Sequence, residues 1–383
     1  MSGGRCSVRR PGAGGEVVDV RMLVPATRAE PRHSEASWLV LPGRTVLAWS
    51  AFAAAPDVVV PDTAVGREWR YSRDNNPAEI RFLESLDGGS TWGEPKVLVP
   101  NTAGINTMQP SLLAVDDHTI GLSYSVRESP AAARRLFRRS TDGGSTWTDP
   151  VDMTGIAGYV TASHHRMLKL ASGRLVQPCH QVAGDVAEVV ITVSDDGGAT
   201  WHVTARIALA GRRAGHLSGL WESSVVEVEG GELLLAGRSA LGDVYGSRST
   251  DGGQTWSLPV PLGVGAPSAP SVLLAAGGYL LLLHNAGFDP DARMSGPRNT
   301  LVASISADGG HTWRRGPTLH AHDQLWYHYP AWTLVDGWVL LAFSITDPET
   351  RRWDLATETL SLRELLGPSA DRVTMPLPSG QGR

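Results

Sequence analysis

The sequence predicts an all-β fold, and within that class a six-bladed β-propeller with five Asp-containing hairpin turns. Three observations carry the expectation. One turn sequence recurs five times at a near-constant interval, an apolar pattern recurs between its copies, and turn residues are in excess. Gly 43 and Pro 25 make up roughly 18% of the 383 residues, against an average of about 12%. Charged residues are 19% and hydrophobic residues 42%, which supports a large core and excludes general disorder.

The turn sequence is SLDGGSTW from Ser85, STDGGSTW from Ser140, SDDGGATW from Ser194, STDGGQTW from Ser249 and SADGGHTW from Ser306. Its aspartates are Asp87, Asp142, Asp196, Asp251 and Asp308, at intervals of 55, 54, 55 and 57 residues. Asp followed by two glycines is turn chemistry: the carboxylate accepts backbone N–H bonds and glycine takes positive φ. The Thr and Trp that follow begin the next strand. Each aspartate is therefore expected to cap a turn and not to catalyse.

Between the boxes lies a second repeat, an apolar strand, a turn and another apolar strand. Its copies centre near Gly43, Asp117, Gly173, Gly231, Gly278 and Gly337. Alternation and β-branched content favour strands over helix. Six such hairpins and five boxes imply about four strands per period, the arrangement of propeller blades. The last repeat has no box, so its blade is expected to close with a strand from about residues 16–30. Residues 16–367 are read as one propeller, with 1–15 and 368–383 as flexible tails. The first interval is the longest. Its excess falls at 51–80, and a long loop on a rigid ring is where function concentrates.

Other classes drop out. A net charge of −5, without a long run of either sign, offers no footprint for nucleic acid or an anionic membrane. No segment approaches the roughly 18 apolar residues of a membrane helix, and the first residues lack an apolar signal core. A cytoplasmic protein is expected. Cys6 and Cys179 form neither a disulfide framework nor a zinc spacing, and His164, His165, His180 and His216 have no metal-type spacing. No metal and no cofactor is expected. Oligomeric state is not set by the sequence.

Five S-x-D-x-G-x-T-W boxes on six repeats resemble the sialidase (neuraminidase) superfamily, in particular its bacterial BNR-repeat, or Asp-box, branch. The resemblance spans about residues 30–345. It implies an acid/base Asp thirteen residues before the first box aspartate, which is Asp74 in YSRDNNPAE. It implies a Glu opening a later inner strand and an Arg about fifteen residues on, matched by Glu222 and Arg238 in WESSVVEVEGGELLLAGRS. A further Arg before the next box is matched by Arg298, and the catalytic Tyr by Tyr329, with Tyr327 as its neighbour in YHYPAW. The first Arg is matched by Arg32. There the family's Phe-Arg-Ile-Pro pattern is replaced by Arg32-His33-Ser34-Glu35, and Glu35 is placed to pair with an arginine. Glu35, Arg127, His165 and Tyr327 are further substrate-contact candidates, while Arg166 is a rim candidate.

The resemblance implies a retaining exo-glycosidase whose substrate is a terminal acidic sugar, sialic acid or a related 2-keto-3-deoxy sugar acid. Three arginines suit a planar carboxylate through bidentate hydrogen bonds. A neutral phenol attacks such a substrate without charge repulsion, the exception to the two-carboxylate rule. A carbohydrate is the expected partner. Two alternatives stay open: a hydrolase or lyase of a uronate- or rhamnose-containing glycan, and a non-catalytic glycan- or protein-binding propeller.

Overall fold

Each apolar run is joined to the next by a turn of a few residues, so sequence neighbours pair as antiparallel strands. The computed structural model describes residues 7–9, 19–54, 60–62, 67–69, 73–292, 296–349 and 352–367. Among these residues the fold is all-β, and the only α-helix is the five-residue Leu362–Leu366. No described helix is long and apolar enough to cross a membrane.

Arg32–Leu41, Arg44–Phe52, Ala78–Ser85 and Lys96–Val99 pair antiparallel in that order. Asn106–Ala114, Ile120–Ser129, Ala132–Ser140 and Val151–Asp152 repeat the arrangement. Leu175–Ala183, Val186–Ser194 and His202–Ile207 do so again, with the short Leu168–Lys169 on the inner edge. Two four-stranded sheets follow, Trp221–Glu227 to Val260–Pro261 and Val272–Ala276 to Arg314–Ala321. The last group joins Trp326–Val335, Trp338–Asp347 and Arg352–Ser361 to Asp19–Val24. After Ser361 the chain turns into the helix, so the open edge of Arg352–Ser361 is covered by the early segment instead. Ser7–Arg9, inside the expected N-terminal tail, pairs with Asp19–Val24. The rest of 1–15 and all of 368–383 lie outside the described residues.

Burial falls from the first strand of a group to the last. Asn106–Ala114 and Ile120–Ser129 are buried over most of their length, whereas Val260–Pro261 is exposed. The first strands gather about a common centre. Arg32–Leu41 packs on Asn106–Ala114 and on Trp326–Val335, and Trp221–Glu227 packs on Leu175–Ala183 and on Val272–Ala276. Later residues of these strands, including Trp38, Leu113, Val225, Leu273 and Trp332, line a central cleft of about 630 Å³.

The repeated turns are closed by their own side chains. At the last of them Ser306 Oγ donates to Asp308 Oδ1 at 2.7 Å, and Thr312 Oγ1 donates to Asp308 Oδ2 at 2.6 Å. The Thr312 N–H donates to Oδ1 at 2.9 Å, and the Gly310 N–H to Ser306 Oγ at 2.8 Å. The other four turns repeat the Ser and Thr bonds. The threonine bonds first, and the serine bonds with them, hold the Asp87, Asp142 and Asp251 carboxyls down to about 2. These carboxylates are used up by the turn.

The insertion after Phe52 is described in part. Val60–Asp62 pairs with Arg67–Trp69, and a 3₁₀ turn, Arg73–Asn75, carries Asp74 back toward the centre.

One glycine is required by close approach. Ser218–Gly219 runs parallel to Val186–Ala187, and Gly219 has φ +91. A Cβ there would lie 1.9 Å from the Ala187 carbonyl oxygen. Gly219→Ala is therefore expected to lower stability by about 3 kcal/mol, from left-handed strain together with overpacking. Chemical denaturation checks it, and wild-type stability would show that the two backbones separate freely. Because Glu222 lies three residues on, this contact also sets the entry of a candidate site residue.

Candidate active site

The first residues of the inner strands converge, and most of these strands carry the same local device. Glu35 (φ 61), Gln109 (φ 61), His165 (φ 52), Glu222 (φ 45) and Tyr329 (φ 54) all adopt the left-handed region. A non-glycine residue there costs on the order of 1–3 kcal/mol and persists only where its surroundings hold it. Strand register shifts across Ser34/Ser37, Trp221/Ser224 and His328/Ala331, so Glu35, Glu222 and Tyr329 sit in β-bulges. A bulge breaks alternation and re-aims the side chain. Side chains brace these positions. Ser50 Oγ accepts the Gln109 N–H at 2.8 Å, and His180 Nδ1 accepts the Glu222 N–H at 3.4 Å. His164 Nε2 lies 3.2 Å from both the Tyr329 and the Pro330 carbonyl oxygens. It must donate to them, and burial keeps that imidazole neutral by lowering it well below the usual range.

Arg32 is buried and sandwiched between aromatic rings, its guanidinium carbon 4.0 Å from the Phe52 centroid and 4.2 Å from that of Trp353. Its Nη1 donates to Asp74 Oδ1, and its Nη2 to Glu35 Oε1 at 3.3 Å. Arg238 Nη1 donates to Glu222 Oε2 at 2.5 Å. Arg238 and Arg298 are tied by Ser268, whose Oγ accepts from Arg238 Nε at 3.1 Å and whose carbonyl accepts from Arg298 Nη2 at 2.9 Å. Tyr329 joins the two sides: its ring centroid is 5.9 Å from the Arg32 guanidinium and 5.7 Å from that of Arg298.

Asp74 stands at the mouth, its side chain 60% exposed. Its carbonyl oxygen is held by Asn106 Nδ2 and Arg127 Nη1, each at 2.7 Å. Desolvation pushes its carboxyl up, but Arg32, Arg127 and Arg298 outweigh that and hold it below the ordinary aspartate value. Burial pushes the Tyr329 phenol up to about 12, helped by the charges of Glu222 and Asp74 and opposed by Arg298 and Arg238. The phenol is thus neutral at physiological pH and needs a base to become a nucleophile. Glu222 is the carboxylate whose charge acts on it most strongly.

Asp74, Glu222, Tyr329, Arg32, Arg238, Arg298, Glu35 and Arg127 therefore come together. Tyr327 and His165 do not join them. Alternation put Tyr327 and Tyr329 on one face, and the bulge after His328 separates them. Tyr327 lies in the core, its ring centroid 4.9 Å from His320 and 6.1 Å from Phe343. His165 is a strut between inner strands: Nδ1 accepts the Trp38 N–H at 3.3 Å and Nε2 lies 2.9 Å from the Trp332 carbonyl oxygen. Both ring nitrogens are occupied there. Arg166, expected at the rim, is buried, and its Nη2 donates to the Ser271 carbonyl at 3.0 Å. Asn106, His164 and Trp353 belong to the site and have no motif in the sequence. Among the described residues no group of three or more His, Cys, Asp or Glu could hold a metal ion.

Residues 68–356 match the family model of the BNR repeat-like domain. The chain belongs to that family. Membership places it in the BNR-repeat branch of the sialidase superfamily. Sialidase from Micromonospora viridifaciens is 29% identical over 279 residues, which is 62% of this chain and 40% of that protein. Sialidase from Bacteroides fragilis (strain YCH46) is 27% identical over 284 residues, 61% of this chain and 48% of that protein. The chain thus spans under half the length of these BNR-repeat relatives. Trypanosoma rangeli sialidase superposes with a TM-score of 0.67 at 16% identity, covering 96% of this chain and 59% of that one. At that identity the likeness is one of fold.

Proposed function

We infer that the chain is a sialidase-like exo-glycosidase built on a six-bladed propeller that spans 16–367. It hydrolyses a terminal acidic sugar with retention. The observation that carries this is Tyr329, a half-buried neutral phenol between two guanidinium groups with the Glu222 carboxylate acting on it. That environment suits a nucleophile facing an anionic substrate, because a phenol is not repelled by the substrate's carboxylate.

In the first step Asp74, as the acid, protonates the leaving oxygen while Tyr329 Oη attacks the anomeric carbon. The glycosidic bond breaks, the phenolic proton passes to Glu222, and a glycosyl-tyrosine forms. In the second step Asp74, now a carboxylate, takes a proton from water as the water attacks the same carbon. The sugar–tyrosine bond breaks and Glu222 returns its proton to the phenolate. Arg32, Arg238 and Arg298 bind the sugar carboxylate. These steps use side chains and water.

The pairing of Arg32 with both Asp74 and Glu35 favours a second reading, a glycan without a carboxylate on its anomeric carbon, such as a uronate- or rhamnose-containing one. Release of 4-methylumbelliferone from its α-sialoside and from a panel of acidic and neutral glycosides separates the two. Turnover of the sialoside supports the first reading. Turnover of another glycoside alone moves the substrate class. Silence across the panel overturns both in favour of a binding propeller.

A further inference from the structure

Glu35 is a carboxylate of this pocket to which the proposed reaction gives no part. Its bulge aims it at Arg32, and it is only 2% exposed. Oε1 accepts from Arg32 Nη2 at 3.3 Å, while the buried Oε2 makes no hydrogen bond. A buried carboxylate oxygen without a donor is costly, and a ligand or a proton would relieve it.

The charges around it are crowded. Arg32 acts from its own strand, Ser50 from the adjacent strand, Asp74 from the long loop and Glu222 from across the centre. Arg135, from the next group of strands, and Tyr159, from the short strand Tyr159–Thr161 beyond it, also feel its charge. Of the arginines expected to hold a ligand carboxylate, Arg32 is already paired with Glu35 and Asp74, and Arg238 with Glu222. A ligand carboxylate on Arg32 would be a fourth negative charge. It would lie beside an ionised Glu35 that is itself buried, and like charges so placed cannot both stay ionised cheaply.

We propose that Glu35 takes up a proton when an anionic sugar enters, so that acidic-ligand binding at this pocket is coupled to the uptake of one proton. This rests on the glycosidase reading above. As the neutral acid, Glu35 releases Arg32 to the ligand and turns its O–H toward the incoming carboxylate, a donor in place of a competing acceptor. Burial, opposed by Arg32 and Ser50, has already pushed this carboxyl up to about 7, so the proton is available near neutrality. The sign follows from linkage. A bound anion raises the carboxyl further, so affinity is flat below about pH 7 and falls up to about tenfold per pH unit above it.

The test is calorimetric titration of the full chain with 2-deoxy-2,3-dehydro-N-acetylneuraminic acid, in buffers of different ionisation enthalpy, near pH 8. The wild type is expected to take up close to one proton, and Glu35→Gln to bind without uptake and without the decline in affinity at high pH. Glu35→Ala serves the same purpose should the glutamine not fold. Binding by the wild type with no proton uptake overturns this inference alone. The same uptake in the variant assigns the proton elsewhere and overturns it too. No binding by either protein at any pH overturns both this inference and the reading of an acidic sugar as the substrate.

Discussion

Tyr329→Phe is expected to reduce turnover of the active glycoside by at least about 10³-fold while leaving the fold intact, as removal of a nucleophile does elsewhere. Only the hydroxyl is lost. The ring keeps its neighbours, His328 at 5.1 Å and Trp353 and His164 each at 5.8 Å between centroids. The backbone keeps the His164 brace at Tyr329 and Pro330. The variant should therefore unfold at the wild-type temperature and still bind an acidic inhibitor through the arginines. Steady-state kinetics and thermal unfolding check this together. Residual turnover within about tenfold of wild type would remove Tyr329 from the chemistry and with it the covalent intermediate.

Asp74→Asn is expected to lower kcat by about 10²–10⁴-fold on substrates with basic leaving groups, and by less on activated aryl glycosides that depart without a proton. It should also change the pH profile. The arginines hold the Asp74 carboxyl below its ordinary value, so the free enzyme carries it ionised through the neutral range. The first step needs the acid, so kcat/KM should rise as pH falls toward that carboxyl, and asparagine should flatten that rise. A wild-type profile preserved in the variant would mean that another group supplies the proton. Arg32 keeps Glu35 as a partner, so the substitution should not leave its guanidinium unpaired.

The two pieces of the site differ in how legible they were. The repeated turn is local chemistry: Ser, Asp, Gly and Thr within eight residues bond to one another wherever the strands lead. Its spacing therefore marks the strands on either side before any contact is known. The family resemblance placed Asp74 and Arg298 by their offsets from these turns, and Glu222 and Arg238 by a strand start and the spacing between them, because each count runs along a strand or its adjoining loop. His164, Asn106 and Trp353 have no such offset. They reach the site from other groups of strands, as His164 does at 3.2 Å from Tyr329.

Tyr327 and Tyr329 show where sequence reasoning stops. Period-two alternation gives them one face, and the bulge gives them two environments, a core stack with His320 and a pocket beside Arg298. His165 behaves likewise, a substrate-contact candidate in the sequence and a bonded strut in the fold. From the sequence alone came the all-β class, the places of the turns and the family. The tertiary structure alone decided which side chains face the centre and what their charges feel. The physical reason is that turns close over a few residues, whereas a left-handed bulge and a shifted carboxyl exist only while distant groups hold them.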